Sequence, residues 1–253
     1  MFPHERQQAV ADLARRHGRV EVVSLAEQLG VTPETVRRDL SELERLGVVR
    51  RVHGGAVPVE RFSGDRAVGE RGVSQQAEKA RIARAALAEV PDDGTIILDA
   101  GTTTGALAEL LPDRRTITVV TNDLRIAQRL AGRQGCTVFT VGGRVRPATL
   151  SQVDAWAARA LLDIVADVAF LGANGFSVAR GVTTPDLSEA AVKRAMVAAG
   201  RRCVLLADHT KAGHDSFGRF ASLADFDLLV TDTGLEDETA AEIELAGPGV
   251  VRA

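Results

Sequence analysis

Lysine is nearly missing from this chain: of 31 basic residues, only Lys79, Lys193 and Lys211 are not arginine. The skew reflects the coding bias of a GC-rich genome. It also marks each retained lysine as a place where a planar guanidinium is a poor substitute for a compact ammonium. Cysteine is scarce too. Cys136 in "GCTVFTV" and Cys203 in "RRCVLLAD" each begin an apolar run and are expected as buried strand residues, which excludes a disulfide framework and a metal pair. No apolar run approaches the roughly 18 residues of a membrane helix. The amino-terminal "MFPHERQQAV" carries charges where a signal peptide has its apolar core, so the expected location is the cytoplasm, away from membranes. Neither G-x-x-x-x-G-K-[ST] nor G-x-G-x-x-G occurs, which argues against a nucleoside triphosphatase or a dinucleotide enzyme; no cofactor and no metal are expected. A net charge of -3 argues against indiscriminate coating of nucleic acid, yet a global sum can hide a local basic face. With 253 residues, 45% of them hydrophobic, the chain can bury a sizeable core and form one large domain plus a small one.

The first sixty residues read as a compact helical unit. From Pro3 to His17 the apolar Ala9, Val10, Leu13 and Ala14 fall at helical spacing. In "VEVVSLAEQLGV", Ser24 and Glu27 form an S-x-x-E capping box for a second helix that Gly30 closes. In "TPETVRRDLSELERLG", Thr32 is a cap, Pro33 takes the first helical position and Gly47 follows the end. Val36, Leu40 and Leu43 share one face, so Glu34, Arg38, Ser41 and Arg45 project from the other, flanked by Thr35 and Arg37. "VVRRV" and "AVPV" around His53, Gly54 and Gly55 predict a two-stranded wing. The whole is a winged helix-turn-helix over residues 1–59. A small dimerisation unit with a solvated arginine face is the bland alternative, but it gives the basic wing no purpose.

Residues 60–76, "ERFSGDRAVGERGVSQQ", are charged, glycine-bearing and without period, and predict a linker. Over 77–253, the strands "TIILDA", "TITVVTN", "CTVFTVGG", "VAFLGANG", "CVLLAD" and "LLVTD" alternate with helical stretches, which predicts an α/β domain around a mainly parallel sheet. Ligands of such sheets bind at the strands' carboxyl ends. Here those ends carry Asp99, Thr121 with Asn122, Gly142 with Gly143, Asn174 with Gly175, and Asp208.

The stretch "LDAGTTTGAL" places a carboxylate, glycines and three threonines between a strand and a helix. Amides and hydroxyls converging on a helix amino terminus suit a phosphate; threonines capping an ordinary turn are the alternative. A rim of hydroxyls, amides and carboxylates suits a polyol, so the predicted ligand is a phosphorylated sugar, with Lys193 and Lys211 supplying positive charge. Lys193 also lies four residues after Glu189, where a surface ion pair would account for it.

"VSLAEQLGVTPETVRRDLSELERLGVVRRVHGGA" resembles the amino-terminal signature of the DeoR family of bacterial transcriptional regulators, and "DAGTTT", "TVVTND", "GGR", "FLGANGF", "TTPDLSEAAVKRAM" and "LLADHTK" resemble its effector domain. The resemblance implies a carboxy-terminal fold related to ribose-5-phosphate isomerase and a role as repressor of a sugar-utilisation operon. It assigns contact with double-stranded operator DNA to Thr32, Pro33, Glu34, Thr35, Arg37 and Arg38 of the third helix and to Arg50, Arg51 and His53 of the wing. It assigns the phosphate loop to Asp99, Gly101, Thr102, Thr103 and Thr104, and the rest of the effector pocket to Asn122, Gly143, Asn174, Glu189, Lys193, Asp208 and Lys211. Likeness to fructose-operon repressors of actinobacteria points to fructose 1-phosphate as effector. A homo-oligomer is expected, because one recognition helix contacts too few base pairs for useful specificity.

Two other classes stay open. Glu189 or Asp208 beside Lys193 or Lys211 could serve as base and polarising cation of an aldose-ketose isomerase, though such an enzyme gains nothing from a DNA-reading module. A sugar-phosphate-binding protein that acts through protein partners is the third reading.

Overall fold

The computed structural model describes residues 6–7, 9–11, 13–14, 19–45, 49–52, 54–58, 75–113 and 116–253. His53, Gly47 and residues 60–74 of the expected linker lie outside them. The chain divides into two compact units, Met1–Phe62 and Ser63–Ala253.

In the first unit, residues 6, 7, 9–11, 13 and 14 are helical. Then come β1 (Val20–Glu21), α1 (Val22–Leu29), α2 (Pro33–Arg45), β2 (Val49–Val52) and β3 (Gly55–Pro58). Two expectations are corrected. The wing has three strands among the described residues, in the order β1-β3-β2, because the short β1 pairs antiparallel with β3, Val20 opposite Ala56. That pairing requires Gly55, where a Cβ would lie 2.0 Å from the Val20 carbonyl oxygen. Ser24 is not a cap. The chain passes straight from β1 into α1, whose amino-terminal position is Glu21 with no side-chain cap, so Ser24 falls inside the first turn. Gly30 does close the helix, in the left-handed region at φ 65°. Val10, Ala14, Leu25, Val36, Leu40, Leu43, Val49 and Ala56 form the core. At about 1.5–3 kcal/mol for each larger side chain buried, that core holds α2 in place.

The second unit contains α3 (Gln76–Ala86), β4 (Asp93–Leu98), α4 (Thr102–Leu110), β5 (Thr116–Thr121), α5 (Leu124–Leu130), β6 (Cys136–Thr140), β7 (Arg144–Val145), β8 (Gln152–Val153) and α6 (Asp154–Ala160). It continues with β9 (Ala166–Gly172), β10 (Gly175–Ser177), β11 (Gly181–Thr184), α7 (Leu187–Ala199), β12 (Gly200–Leu206), β13 (Gly218–Ala221), β14 (Leu228–Thr231), α8 (Asp237–Leu245) and β15 (Gly249–Arg252). Seven strands form an all-parallel sheet in the order β15-β14-β12-β9-β4-β5-β6. Alternate residues face opposite layers. Ile96, Leu98, Val119 and Phe170 pack in one core, and Ile97, Val120, Ala169 and Leu171 in the other. The expected strands all form, whereas β15, α8 and the antiparallel sheet β10-β11-β13 add to them. Cys203 is buried and free; Cys136, at the sheet edge, is only half-buried and free.

Strand order fixes where a ligand can sit. The chain runs from β4 outward through β5 to β6, then returns to the other side of β4 as β9 and proceeds to β12, β14 and β15. The direction of winding reverses between β4 and β9. A crevice opens at the carboxyl ends of the strands flanking such a reversal.

Candidate functional site

On the small unit, the carboxyl half of the helix-turn-helix exposes a polar face. Thr32, Pro33, Glu34, Arg37 and Arg38 are exposed and Thr35 is half-buried. The Thr32 hydroxyl accepts from the Thr35 N–H at 3.3 Å, which caps α2 as expected. Arg37 is paired with Glu34 at 2.9 Å, whereas Arg38 has no hydrogen-bond or ion-pair partner among the described residues. The wing is tied back to the helix: the Arg51 N–H donates to Glu44 Oε1 at 2.9 Å, and its guanidinium donates to Ser41 Oγ at 3.2 Å. Arg50 pairs with Val57 across the hairpin. One buried charge escaped the sequence reading. Asp39, 3% exposed, takes Arg6 Nε at 2.5 Å and Nη2 at 3.1 Å. Its place beside Leu40 on the inward face was the available signal.

On the large unit, the reversal between β4 and β9 gathers the rim residues. Asp99 follows β4 and is fully buried. Its Oδ2 accepts from the Gly172 N–H at 3.0 Å and from Lys193 Nζ. Oδ1 meets no donor among the described residues. Burial pushes this carboxyl above its ordinary 3.8, against the pull of the Lys193 charge and hydrogen bond. Lys193, 4% exposed, also donates to the Gly172 carbonyl at 3.0 Å and lies 5.3 Å from the Phe220 ring centroid. Asn122, after β5, accepts the Ala100 N–H on its Oδ1 at 2.8 Å and donates to the Gln152 carbonyl. These bonds fix the turn from Asp99 to Gly101.

Three helices start along this rim, and their amino ends differ. Asp123 caps α5 by accepting the Arg125 and Ile126 N–H groups, and Asp186 caps α7 by accepting that of Glu189. Gly101 precedes α4 with no side-chain cap. Thr104 turns its hydroxyl back to the Gly101 carbonyl at 3.2 Å, so the threonines do not cap the turn either. Among the described residues no side chain caps the amino end of α4, where the first amides and the positive end of the helix dipole lie.

The alternative of a surface ion pair between Glu189 and Lys193 is not what forms: both side chains are buried, and each is bonded to a different partner. Glu189 accepts Arg146 Nη1 at 2.6 Å, Ser151 Oγ at 3.0 Å and Thr184 Oγ1 at 3.0 Å. Burial pushes the Glu189 carboxyl up, but the charges of Lys193 and Arg146, with hydrogen bonds from Arg146 and Thr184, outweigh it and hold the group below 4.5. Arg146, Thr149, Ser151 and Gln152 were not predicted. They belong to one strap, residues 144–153, whose Gln152 N–H meets the Asn122 carbonyl at 2.7 Å while Arg146 and Ser151 meet Glu189.

The remaining rim positions divide by what they already do. Asn174 Oδ1 accepts the Thr184 hydroxyl at 3.3 Å. Gly143 stands at φ 95°, and a Cβ there would lie 2.5 Å from the Val153 carbonyl oxygen, so glycine is required for close packing of α6. Asp208, buried after β12, spends its carboxylate on the N–H and hydroxyl of Thr210. Lys211 is half-buried, and its ammonium has no partner among the described residues. Beside it, His209 Nδ1 is 2.7 Å from Asp232 Oδ2, and the His209 N–H donates to Asp232 Oδ1 at 2.8 Å. No group of three or more metal-ligating side chains occurs among the described residues.

A winged reading unit joined to a parallel α/β unit with a polar switch-point crevice defines a ligand-responsive DNA-binding regulator. The family models agree: the DeoR-like helix-turn-helix domain matches residues 6–62, and the DeoR C terminal sensor domain matches residues 74–233. The chain belongs to the DeoR family of transcriptional regulators. It is 38% identical over 251 residues to the HTH-type transcriptional regulator GlpR of Haloferax volcanii, covering 99% of this chain and 98% of that one. It is 30% identical over 232 residues to the glycerol-3-phosphate regulon repressor of Escherichia coli, covering 90% of each. Among solved structures it is similar to ribose 5-phosphate isomerase A of Methanocaldococcus jannaschii, with 16% identity, 55% of each chain covered and a TM-score of 0.42.

Proposed function

We propose that this chain is a repressor of a sugar-utilisation operon, released or engaged by a phosphorylated sugar, and that it catalyses no reaction. The observation that carries the ligand class is the uncapped amino end of α4 beside buried Asp99 at the sheet's switch point. The phosphate sits on the amides of Gly101 to Thr104 and on the Thr102 and Thr103 hydroxyls. Asp99, Asn122, Asn174 and Lys211 face the sugar. Glu189, Lys193, Asp208 and Gly143 hold these groups in place, an assignment supported for the first three by their burial and existing partners and for Gly143 by its close approach to the Val153 carbonyl. The DNA contact falls on Thr32, Thr35, Arg37, Arg38, Arg50, Arg51 and His53, with Pro33 and Glu34 at the helix start, in a homodimer reading two half-sites. The names of the relatives, which speak of regulation and of a glycerol-3-phosphate regulon, favour a phosphate ester over a free sugar. Against an isomerase, Glu189 is engaged through both oxygens, with Arg146 and with Thr184, and Asp208 accepts two bonds from Thr210 on its Oδ1.

Fructose 1-phosphate is the first ester to test, with fructose as control. Any ligand that prefers the folded state adds about 2.7 kcal/mol at 100 times its dissociation constant. Fructose 1-phosphate is expected to raise the melting temperature of the full chain, fructose is not, and Thr103→Val is expected to weaken the ester about tenfold while leaving the unliganded melt in place. Equal stabilisation by both sugars, or normal binding by the valine variant, would return the threonines to packing.

A further inference from the structure

Histidine 209 is oriented with more care than a surface residue needs. It opens the three-residue turn His209–Lys211 that follows β12. Its Nδ1 and its own backbone N–H both bond Asp232, and Asp232 accepts a third bond from the Gly234 N–H at 3.0 Å. A Cβ on Gly234 would lie 2.4 Å from the imidazole Nδ1, so the glycine backbone walls one face of the ring. The Asp232 carboxylate stays ionised. Burial pushes it up, but hydrogen bonds from His209 and Gly234 hold it below 3.8. The carboxylate on Nδ1 leaves Nε2 as the ring nitrogen that can meet a ligand. The side chain keeps a third of its surface exposed, so Nε2 is within reach of a ligand. Two residues on stands Lys211, without a partner among the described residues.

We propose that His209 and Lys211 form a second anion subsite, with Asp232 as its positioning residue; this rests on reading the α4 end as the first. The two loci are set by the sheet. β12 and β4 are separated by one strand, β9, which puts them about 10 Å apart at 4.8 Å per strand. A hexose chain spans that gap. The effector class is then a sugar with anionic groups at both ends, such as a sugar bisphosphate or a phosphorylated sugar acid. Asp232, from the end of β14, is bonded to the imidazole, and Asp208 and Lys211 stand in the same turn as His209. Of these, Asp208 is turned away to Thr210.

The test is calorimetric titration of the full-length protein with fructose 1,6-bisphosphate and with fructose 1-phosphate. The bisphosphate is expected to bind at least about tenfold more tightly. His209→Gln is expected to bring the ratio near one, and Asp232→Asn to lower it part of the way, both leaving the affinity for fructose 1-phosphate unchanged. A wild-type ratio near one, or an unchanged ratio in His209→Gln, overturns the second subsite while leaving the first. Failure of both esters to bind overturns the phosphate reading and this inference together.

Discussion

On α2 the Arg38 guanidinium stands in solvent without a partner among the described residues, whereas on α7 the Lys193 ammonium is 4% exposed and held by Asp99, the Gly172 carbonyl and the Phe220 ring. Both are cations on amphipathic helices, and they do opposite work. A reading head must exchange water and counterions for phosphate, so its arginines stay at the surface, Arg38 without a partner among the described residues and Arg37 paired only with exposed Glu34. A sensor must hold a fixed constellation in a buried place, where an unpaired charge costs several kcal/mol. Lys193 and Arg146 are therefore paired before any ligand arrives, whereas half-buried Lys211 has no partner among the described residues. Lys193→Ala thus tests folding as much as ligand binding, contrary to the simple expectation that it only removes charge from the pocket.

Three substitutions sharpen that contrast. Lys193→Met keeps the volume but strands Asp99, and urea unfolding is expected to show a loss of about 3–5 kcal/mol, part of which returns in the double variant with Asp99→Asn. A loss no larger than that of a surface change would put Lys193 in the same class as Arg38. Glu189→Gln comes next, at about 1–3 kcal/mol near neutral pH. The folded Glu189 carboxyl lies below 4.5, so its stabilisation is complete above that value and disappears as pH falls through the lower folded value. Asp99, held above 3.8, contributes in the other direction: its stabilisation is present in acid and is lost as pH rises through its raised value. Removing Glu189 should accordingly flatten the fall in stability below about pH 4.5. An unaltered acid limb would show that the Arg146 pair does not contribute. Arg38→Ala is the smallest in stability, within about 0.5 kcal/mol, yet it should weaken operator binding. A base-edge contact costs about 1–3 kcal/mol and relaxes specificity at one position; a phosphate contact lowers the salt slope by about one. Unchanged DNA affinity would remove Arg38 from the interface.

What could be read in the sequence was local. The buried strands announce themselves as β-branched runs, the Thr32 cap and Pro33 mark the start of α2 within two residues, and the polar strand ends identify the rim. What could not be read were pairings between distant residues. Glu189 and Arg146 are 43 residues apart, and His209 and Asp232 are 23 apart; neither helical nor strand spacing predicts such contacts. The 144–153 strap was hidden for a second reason. It turns at Leu150 and Asp154, with φ of 52° and 81°, without the glycine that signals a left-handed residue. The i,i+4 spacing of Glu189 and Lys193 was visible and misleading, because both side chains are buried, Glu189 against the strap and Thr184 and Lys193 against Asp99 and Gly172.

The central claim is that one chain couples a sugar-phosphate sensor to a DNA reader. The most direct measurement is the affinity of the full-length protein for the DNA upstream of its own gene, by fluorescence anisotropy at fixed salt, with and without a saturating phosphorylated sugar. The expected result is tight, sequence-selective binding that the ester shifts by about 5- to 150-fold while the free sugar leaves it unchanged, the span of a coupling of about 1–3 kcal/mol. An ester that raises the melting temperature yet leaves DNA affinity unmoved would contradict the coupling.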